Sequence, residues 1–483
     1  MQKWRKQQKN HELIIGLVHQ VGTDHTPVIP WLKELMGSCS YDLNEIHITK
    51  AVMPEIAADL LPPKGCDEFN RINTFIDAGN KIRERYNNDA ILALGAISQI
   101  LNWRNTNAKN FPTRTMHLIT SLKHPEEVSL LREVYGSAFF LIGVYADESI
   151  RRKNLLRLCS KEQVDKLIER DTEEHQTHGQ HTRDTFFLSD FFLPLDSDIN
   201  LSKNALFRFI DLLFGNPFIT PTFDEFAMFM AFSSALRSAD LSRQVGAVVS
   251  VNNEIVGTGA NDCPRAGGGL YWPQWEKSEF VDSANGRDYM RGYDSNRMQR
   301  DKIIESIVKE FSNSKIENKV RQAIEKSAIK DLTEFGRMVH AEMEALLACA
   351  RSGVSPVNGT VHCTTFPCHN CAKHIIAAGI KRVVFIEPYP KSKALEFHQE
   401  AVTLDKSDGE NKVIFEPFTG IGPRKFFDLF SMNMSSGYPL SRKEKGKNAV
   451  WTRKNAVFRL PTASISYFEL EKLTANILTK VME

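Results

Sequence analysis

A chain of 483 residues is long enough for two or three domains, and 42% apolar with 25% charged residues is the balance of an ordinary globular protein. A formal net charge of +2 provides no global field for nucleic acid, although a local basic patch is compatible with it. After a basic first decapeptide the apolar run Leu13–Val18 is too short for a signal h-region or a membrane span, and the eight cysteines (39, 66, 159, 263, 349, 363, 368 and 371) lack a disulfide-framework spacing. No membrane partner and a reducing, cytoplasmic location are expected.

Taken in order, Leu13–Val18 fits a buried parallel strand and Val28–Met36 a helix. Apolar runs at Glu45–Ile48, Ala90–Ile97, Met116–Thr120 and Phe139–Tyr145 read as further strands. Asp67–Tyr86, Pro125–Tyr135 and Asp147–Arg157 read as the intervening helices. Alternation of this kind predicts an α/β fold with an open parallel sheet and right-handed crossovers. Strand, glycine turn and helix is also the layout of a phosphate-binding loop, with Gly16, Gly22 and Thr23 as the candidate nucleotide-binding residues. The loop is degenerate: five residues separate the glycines instead of four, and the lysine before Thr23 is missing. Backbone amides could still cradle phosphate, but the charge that phosphoryl transfer needs is absent.

The stretch from His117 through Val128, with the following strand and the Arg151/Arg152 helix, resembles small nucleotide kinases of the P-loop class over roughly residues 11–215. The resemblance implies a kinase-like domain that has lost catalysis and binds a nucleotide or a partner. His175, His178 and His181 recur every three residues, but Gly179 breaks the helix that a metal site at this spacing needs, so a polar loop is expected there. The aromatic run Phe186–Leu193 reads as core packing.

Asn216–Pro221, with two prolines, marks the boundary, giving expected domains 1–215, 216–431 and a tail 432–483 without an assigned role. The second domain opens with a helix at Phe223–Ser238 and strands Gln244–Val251 and Glu254–Gly259, joined by Asn252-Asn253 as a hairpin turn. A long insert after Asp262 contains Gly267-Gly-Gly-Leu-Tyr-Trp and a helical pair over Ser295–Lys330.

Then comes the stretch that carries chemistry. A helix over Gly336–Ser352 holds His340 and Glu342 in its first turns, and Pro367 precedes Cys368 and Cys371, which lie on one side of the next helix. One imidazole and two thiolates are three zinc ligands, one Zn2+ per chain, and leave a fourth tetrahedral position open for water, as in catalytic sites. Glu342 remains as a proton carrier. His-x-Glu with Pro-Cys-x-x-Cys is the signature of zinc-dependent nucleobase deaminases. The competing reading is structural zinc with Cys363, His369 or His374 as fourth ligand. Glu344 reads as a solvated helix position, and Gly359–Thr364 and Lys412–Phe418 as strands.

Ser242-Arg-Gln-Val-Gly-Ala-Val-Val, Ile255 through Asn261, the zinc motif, and Lys381 through Ser392 together resemble deoxycytidylate deaminases over roughly residues 222–420. The resemblance implies an α/β/α cytidine deaminase-like domain, a deoxycytidine nucleotide substrate (dCMP or dCTP), and substrate contacts at Asn261 (sugar hydroxyl), Arg243, Tyr389 and Lys391. It also implies a homo-oligomer and an allosteric nucleotide such as dTTP or dCTP. The kinase-like half ahead of it resembles two-domain bacterial deaminases of antiphage defence, which deplete dCTP; a regulatory RNA or protein inhibitor is compatible with that role. Three competitors stay in view: a deaminase acting on RNA or single-stranded DNA, which the near-neutral charge disfavours; a nucleotide kinase; and a nucleotide-sensing binding protein with structural zinc.

Overall fold

The computed structural model describes residues 11–107, 113–172, 179–195, 198–311, 316–327, 329, 332, 334–389, 391–409, 411–433, 438, 440–460 and 464–482. The chain divides into two compact units, Met1–Pro221 with Thr419–Glu483, and Thr222–Phe418. The second is therefore inserted within the first, and the stretch after 432 that the sequence left apart belongs to the N-terminal unit.

In the first unit, β1 (Leu13–His19), β2 (Asp42–His47), β3 (Thr115–Thr120), β4 (Phe139–Tyr145) and β5 (Phe191–Pro194) form a parallel sheet in the order 5-4-1-3-2. The short strand Gly420–Ile421 adds antiparallel to β5. The aromatic run is core, with Phe186, Phe191 and Phe192 buried. Ala90–Ile97 is not a strand: Ile91–Asn107 is a helix buried on most sides. An apolar run without polar alternation does not distinguish a buried strand from a buried helix, and here the Ala-Leu-Gly-Ala content suits the helix. Helix Ser464–Met482 closes this unit. Its Glu471 meets Arg104, which also pairs with Glu12 at 2.6 Å, all three buried.

The second unit is a mixed six-stranded sheet. Its strands are β6 (Gly246–Val251), β7 (Glu254–Ala260), β10 (Thr360–Thr365), β11 (Arg382–Glu387), β12 (Val402–Thr403) and β13 (Val413–Pro417), ordered 12-13-11-10-6-7; β8 (Gln274–Glu276) and β9 (Glu279–Val281) form a separate hairpin in the insert. Asn252 and Asn253 both have positive φ, as the two-residue turn between β6 and β7 requires. Helix Phe223–Ala235 covers one face, and helices Ala341–Ser352 and His369–Ala377 the other, giving the expected α/β/α layering. Glycines set the approach of the helices. A Cβ on Gly246 would strike the backbone of Ala231 and Ala235, and one on Gly259 would strike the backbone of Ala341 and Ala345. The insert's helices are Ser295–Lys309 and Glu317–Lys326. Among the described residues no helix is long and apolar enough to cross a membrane.

Candidate metal centre and active site

The site is built at two helix N-termini. His340 and Cys368 are the N-cap residues of Ala341–Ser352 and His369–Ala377, one residue ahead of their helices and not within them as the sequence suggested. Both are held in extended backbone, which turns their side chains toward each other across the two helix starts. Cys368 caps its own helix by accepting the Cys371 N–H at 3.4 Å, an arrangement that favours sulfur as thiolate.

His340 Nδ1 lies 3.3 Å from both Cys368 Sγ and Cys371 Sγ, and the three ligand atoms fall within 4.8 Å of one another. A tetrahedral zinc with bonds of 2.0–2.3 Å has N···S edges of ~3.5 Å, so this donor set fits the ion closely. The three donors are close enough to share protons with one another. Hydrogen bonds from Cys371 and His340 bring the Cys368 thiol down to about 4 against the effect of burial, and the bond to Cys368 lifts His340 to about 9. Cys371, donating to Cys368 and buried, moves up, the behaviour of two sulfurs sharing one proton.

None of the proposed fourth ligands joins the cluster. Cys363 is buried and points its thiol at the Val384 carbonyl, His374 is exposed with Nδ1 on the Asn370 carbonyl, and His369 packs edge-on against Phe397. The remaining neighbour is Glu342, 4% exposed, with a carboxylate oxygen 3.5 Å from Cys371 Sγ. Burial pushes its carboxyl above the ordinary range. Three soft-and-borderline donors with one buried carboxylate beside them make an open catalytic centre, not a closed structural one.

The other expected contacts fall out unevenly. Arg243 is exposed, its guanidinium 4.9 Å from the centre of the Tyr389 ring, and its charge opposes protonation of His340, so it stands at the mouth of the site. Lys391 is exposed nearby in sequence. Asn261 holds the backbone: its Oδ1 accepts from the Val245 N–H at 2.7 Å and its Nδ2 donates to the Arg243 carbonyl at 2.9 Å, bracing the segment that carries Arg243. Glu344 is not solvated but buried and paired with Arg351 at 2.5 Å. Its i+7 partner lies two turns along the same helix face, a signal the sequence did contain.

In the N-terminal unit Gly16 sits inside β1, where a Cβ would meet Leu122, so it belongs to no loop. Gly22 has φ +84° and abuts Arg151, and Thr23 is buried, yet the next helix begins only at Val28. The helix N-terminus that a phosphate loop runs into is thus displaced. His175 and His178 lie outside the described residues, and His181 is half-buried beside His124.

Sequence reasoning missed what secures the metal ligands. Asp262 and Val339 form an antiparallel bridge with N···O distances of 3.3 and 3.0 Å, closing the insert immediately before His340. Thr364 Oγ1 accepts the Gly246 N–H at 3.1 Å. Across the sheet, Asp224 joins buried His362 at 2.9 Å and Arg382 through two bonds of 2.9 and 2.7 Å.

An α/β/α unit carrying a His-Cys-Cys centre and one buried glutamate defines a zinc-binding hydrolytic deaminase. In agreement, residues 221–387 match the cytidine and deoxycytidylate deaminase zinc-binding region. The deoxycytidylate deaminase of Enterobacteria phage T4 is 31% identical over 166 residues, 34% of this chain and 77% of that protein. ComE operon protein 2 of Bacillus subtilis is 37% identical over 81 residues, 16% of this chain, and the chain spans only 42% of that relative's length. A crystal structure of the dCMP deaminase from cyanophage S-TIM5 in complex with dCMP and dUMP superposes with a TM-score of 0.24 at 19% identity, over 41% of this chain and 99% of that one. The chain belongs to the cytidine and deoxycytidylate deaminase family.

Proposed function

We propose that the chain removes the C4 amino group of a deoxycytidine nucleotide by hydrolysis, releasing ammonia and leaving the deoxyuridine nucleotide. The observation that carries this reading is the placing of His340 Nδ1 at 3.3 Å from both cysteine sulfurs with the buried Glu342 carboxylate beside Cys371. His340, Cys368 and Cys371 would hold a zinc ion, which would supply the Lewis acidity that activates water near neutral pH. Glu342 takes one proton from the attacking water and delivers it to the pyrimidine ring nitrogen, then carries the second, from the hydroxyl left on C4, to the amine, which departs as ammonia as the C4–N bond breaks and the carbonyl forms. Burial raises its proton affinity, the direction a proton carrier needs. Arg243 and Lys391 are suited to substrate phosphate, Tyr389 to the nucleotide beside Arg243, and Asn261 keeps Arg243 in place while remaining a contact for the sugar hydroxyl.

The relatives named deoxycytidylate deaminase support dCMP as substrate, and dCTP is the companion to test. The resemblance to two-domain antiphage deaminases supports depletion of the dCTP pool as the cellular role, with the N-terminal unit binding a nucleotide or partner as the regulatory half. Eight cysteines without a disulfide, two of them at the metal centre, suit a cytoplasmic setting. The test is ammonia release from dCMP, dCTP, CMP and CTP, with and without dTTP. Glu342→Gln should retain zinc and lose activity by a factor of about 10²–10⁴. Undiminished turnover by that variant, or turnover only on oligonucleotides, overturns the reading.

A further inference from the structure

His340 reaches the metal centre from the far end of a long insert. The bridge between Asp262 and Val339 brings the two ends of that insert together, and His340 follows Val339 directly. Closing so long a loop costs chain entropy, and the bridge sets against it only two backbone bonds, of 3.3 and 3.0 Å. A metal ligand must keep its bond length to about 0.2 Å, so the end that carries His340 needs a firmer hold than the bridge alone provides.

Two adjacent residues within the insert, Arg287 and Asp288, provide it. Arg287 is 5% exposed and turns its guanidinium to the start of the insert. Its Nε lies 3.3 Å from Asp262 Oδ2, Nη1 donates to Asp282 at 3.0 Å, and Nη2 donates to the Tyr271 carbonyl at 2.5 Å. Asp288, equally buried, reaches both ends: its Oδ1 accepts from Arg337 Nη1 at 2.7 Å, two residues before Val339, and from the Cys263 thiol at 3.7 Å. Arg337 also donates to the Gly286 carbonyl at 2.9 Å. One dipeptide thus clasps residues 262 and 263 on one side of the bridge and 337 on the other. Burial pushes the Asp262 carboxyl up, against the Cys263 N–H, Arg287 and Arg237. Taking Arg287, Asp262, Asp282 and Asp288 out of water is costly, and apolar side chains would close a loop as well. What the charged groups add is direction, because each bond holds only at its own angle and length.

We infer that Arg287 is a positioning residue for His340: through Asp262 and the bridge it fixes Val339, and so the direction from which the imidazole meets the metal. The inference rests on the metal centre of His340, Cys368 and Cys371, and gives a role to a side chain outside it. Arg287 acts on the ligand and not on the nucleotide, so its loss reaches metal retention and turnover ahead of substrate affinity.

The experiment measures zinc affinity of the full-length chain by competition with a chelating dye, and loads the same protein with Co2+, whose visible bands report the geometry of its ligands. Arg287→Met should weaken zinc binding about 10- to 100-fold and shift the cobalt bands. For dCMP, kcat should fall with KM little changed. In an Asp262→Asn background the same change should cost less than about threefold, because the group through which Arg287 acts is already altered. Arg321→Met, which breaks an exposed pair with Glu305 in the same insert, should match wild type in both readouts. Arg287→Lys guards against loss of the fold; one ammonium cannot reach Asp262, Asp282 and the Tyr271 carbonyl together, so its affinity should fall between wild type and Arg287→Met. Wild-type affinity and bands in Arg287→Met, an equal loss with and without Asp262→Asn, or an Arg287→Lys protein as tight as wild type each overturn the inference and leave the metal centre standing. A wild-type chain that takes up neither metal overturns both.

Discussion

At Arg243 the structure separates two jobs that one exposed side chain could do. Its guanidinium lies over Tyr389, a contact worth about 0.5–1 kcal/mol at an exposed position, too little to need the Asn261 and Asp240 braces on its backbone. Those braces are understandable when the cation must wait at a fixed place for an anionic substrate. We therefore expect Arg243→Ala to raise KM for dCMP at least tenfold with kcat little changed, Arg243→Lys to recover part of the loss, and deoxycytidine, which lacks phosphate, to be indifferent to both. A kcat defect shared by nucleoside and nucleotide would make Arg243 a packing residue. Single residues were legible where short spacing carried them. His340, Glu342, Cys368 and Cys371 come together because two helix starts meet, and the spacing within each motif encodes that. Asn261 was not legible as a brace, because its partners Arg243 and Val245 lie in the segment just ahead of β6 and only pairing of β6 with β7 brings them opposite.

At the level of elements, the helix bearing Glu342 is aimed by its seat on β7. Gly259 leaves room for the backbone at Ala341 and Ala345, so any side chain there lifts the first turn, which holds Glu342 next to His340. Gly259→Val should cost roughly 1–3 kcal/mol in unfolding free energy and lower deamination far more than stability, whereas Gly353→Ala at the other end of the helix should leave activity near wild type. Equal activity of Gly259→Val and wild type would show that the helix position is not what aims Glu342. On the opposite face, Asp224 ties helix Phe223–Ala235 to β10 and β11. Burial works against its charge, yet the bonds from His362 and Arg382 hold its carboxyl below the usual carboxylate range. A carboxyl with a depressed folded-state pKa contributes stability that is fully present above its unfolded value of about 3.9 and lost as pH falls toward the folded value. The stability difference between wild type and Asp224→Asn should be about 1–2 kcal/mol at pH 7, discounted for the part-exposed partners, and shrink below about pH 4. A difference that grows on acidification would contradict the pairing. Neither tie was visible in the chain: Asp224, His362 and Arg382 are far apart in sequence, and each is unremarkable where it stands. The helix Ile91–Asn107 was misread for the converse reason, that burial on most sides erases the periodicity by which a helix is recognised.

The whole molecule is one unit interrupted by another, and this has a consequence for cutting it. The zinc ligands, Glu342, Arg243 and Tyr389 all lie within Thr222–Phe418, which has its own sheet and its own core. The N-terminal unit has no such independence up to Pro221. Ile421, Leu429, Ala456, Phe458 and Leu460 are members of its main apolar cluster, Gly420–Ile421 extends its sheet, and Glu471 supplies the second carboxylate to buried Arg104. Removing residues 419–483 strips that cluster of Ile421, Leu429, Phe458 and Leu460 at roughly 1.5–3 kcal/mol apiece, with the smaller Ala456, and leaves Arg104 with half its compensation. The apolar loss alone is comparable to the whole stability of a domain. A fragment 222–418 should therefore fold, bind one zinc and release ammonia from dCMP, while 1–221 should be insoluble or lack a cooperative thermal transition, and 1–221 supplemented with 419–483 should recover one. Calorimetry, zinc content and the ammonia assay on the three preparations decide the matter. A cooperatively folded 1–221 would mean that the C-terminal segment decorates this unit and does not complete it, and an inactive but folded 222–418 that loads zinc would mean that the N-terminal unit enters catalysis directly.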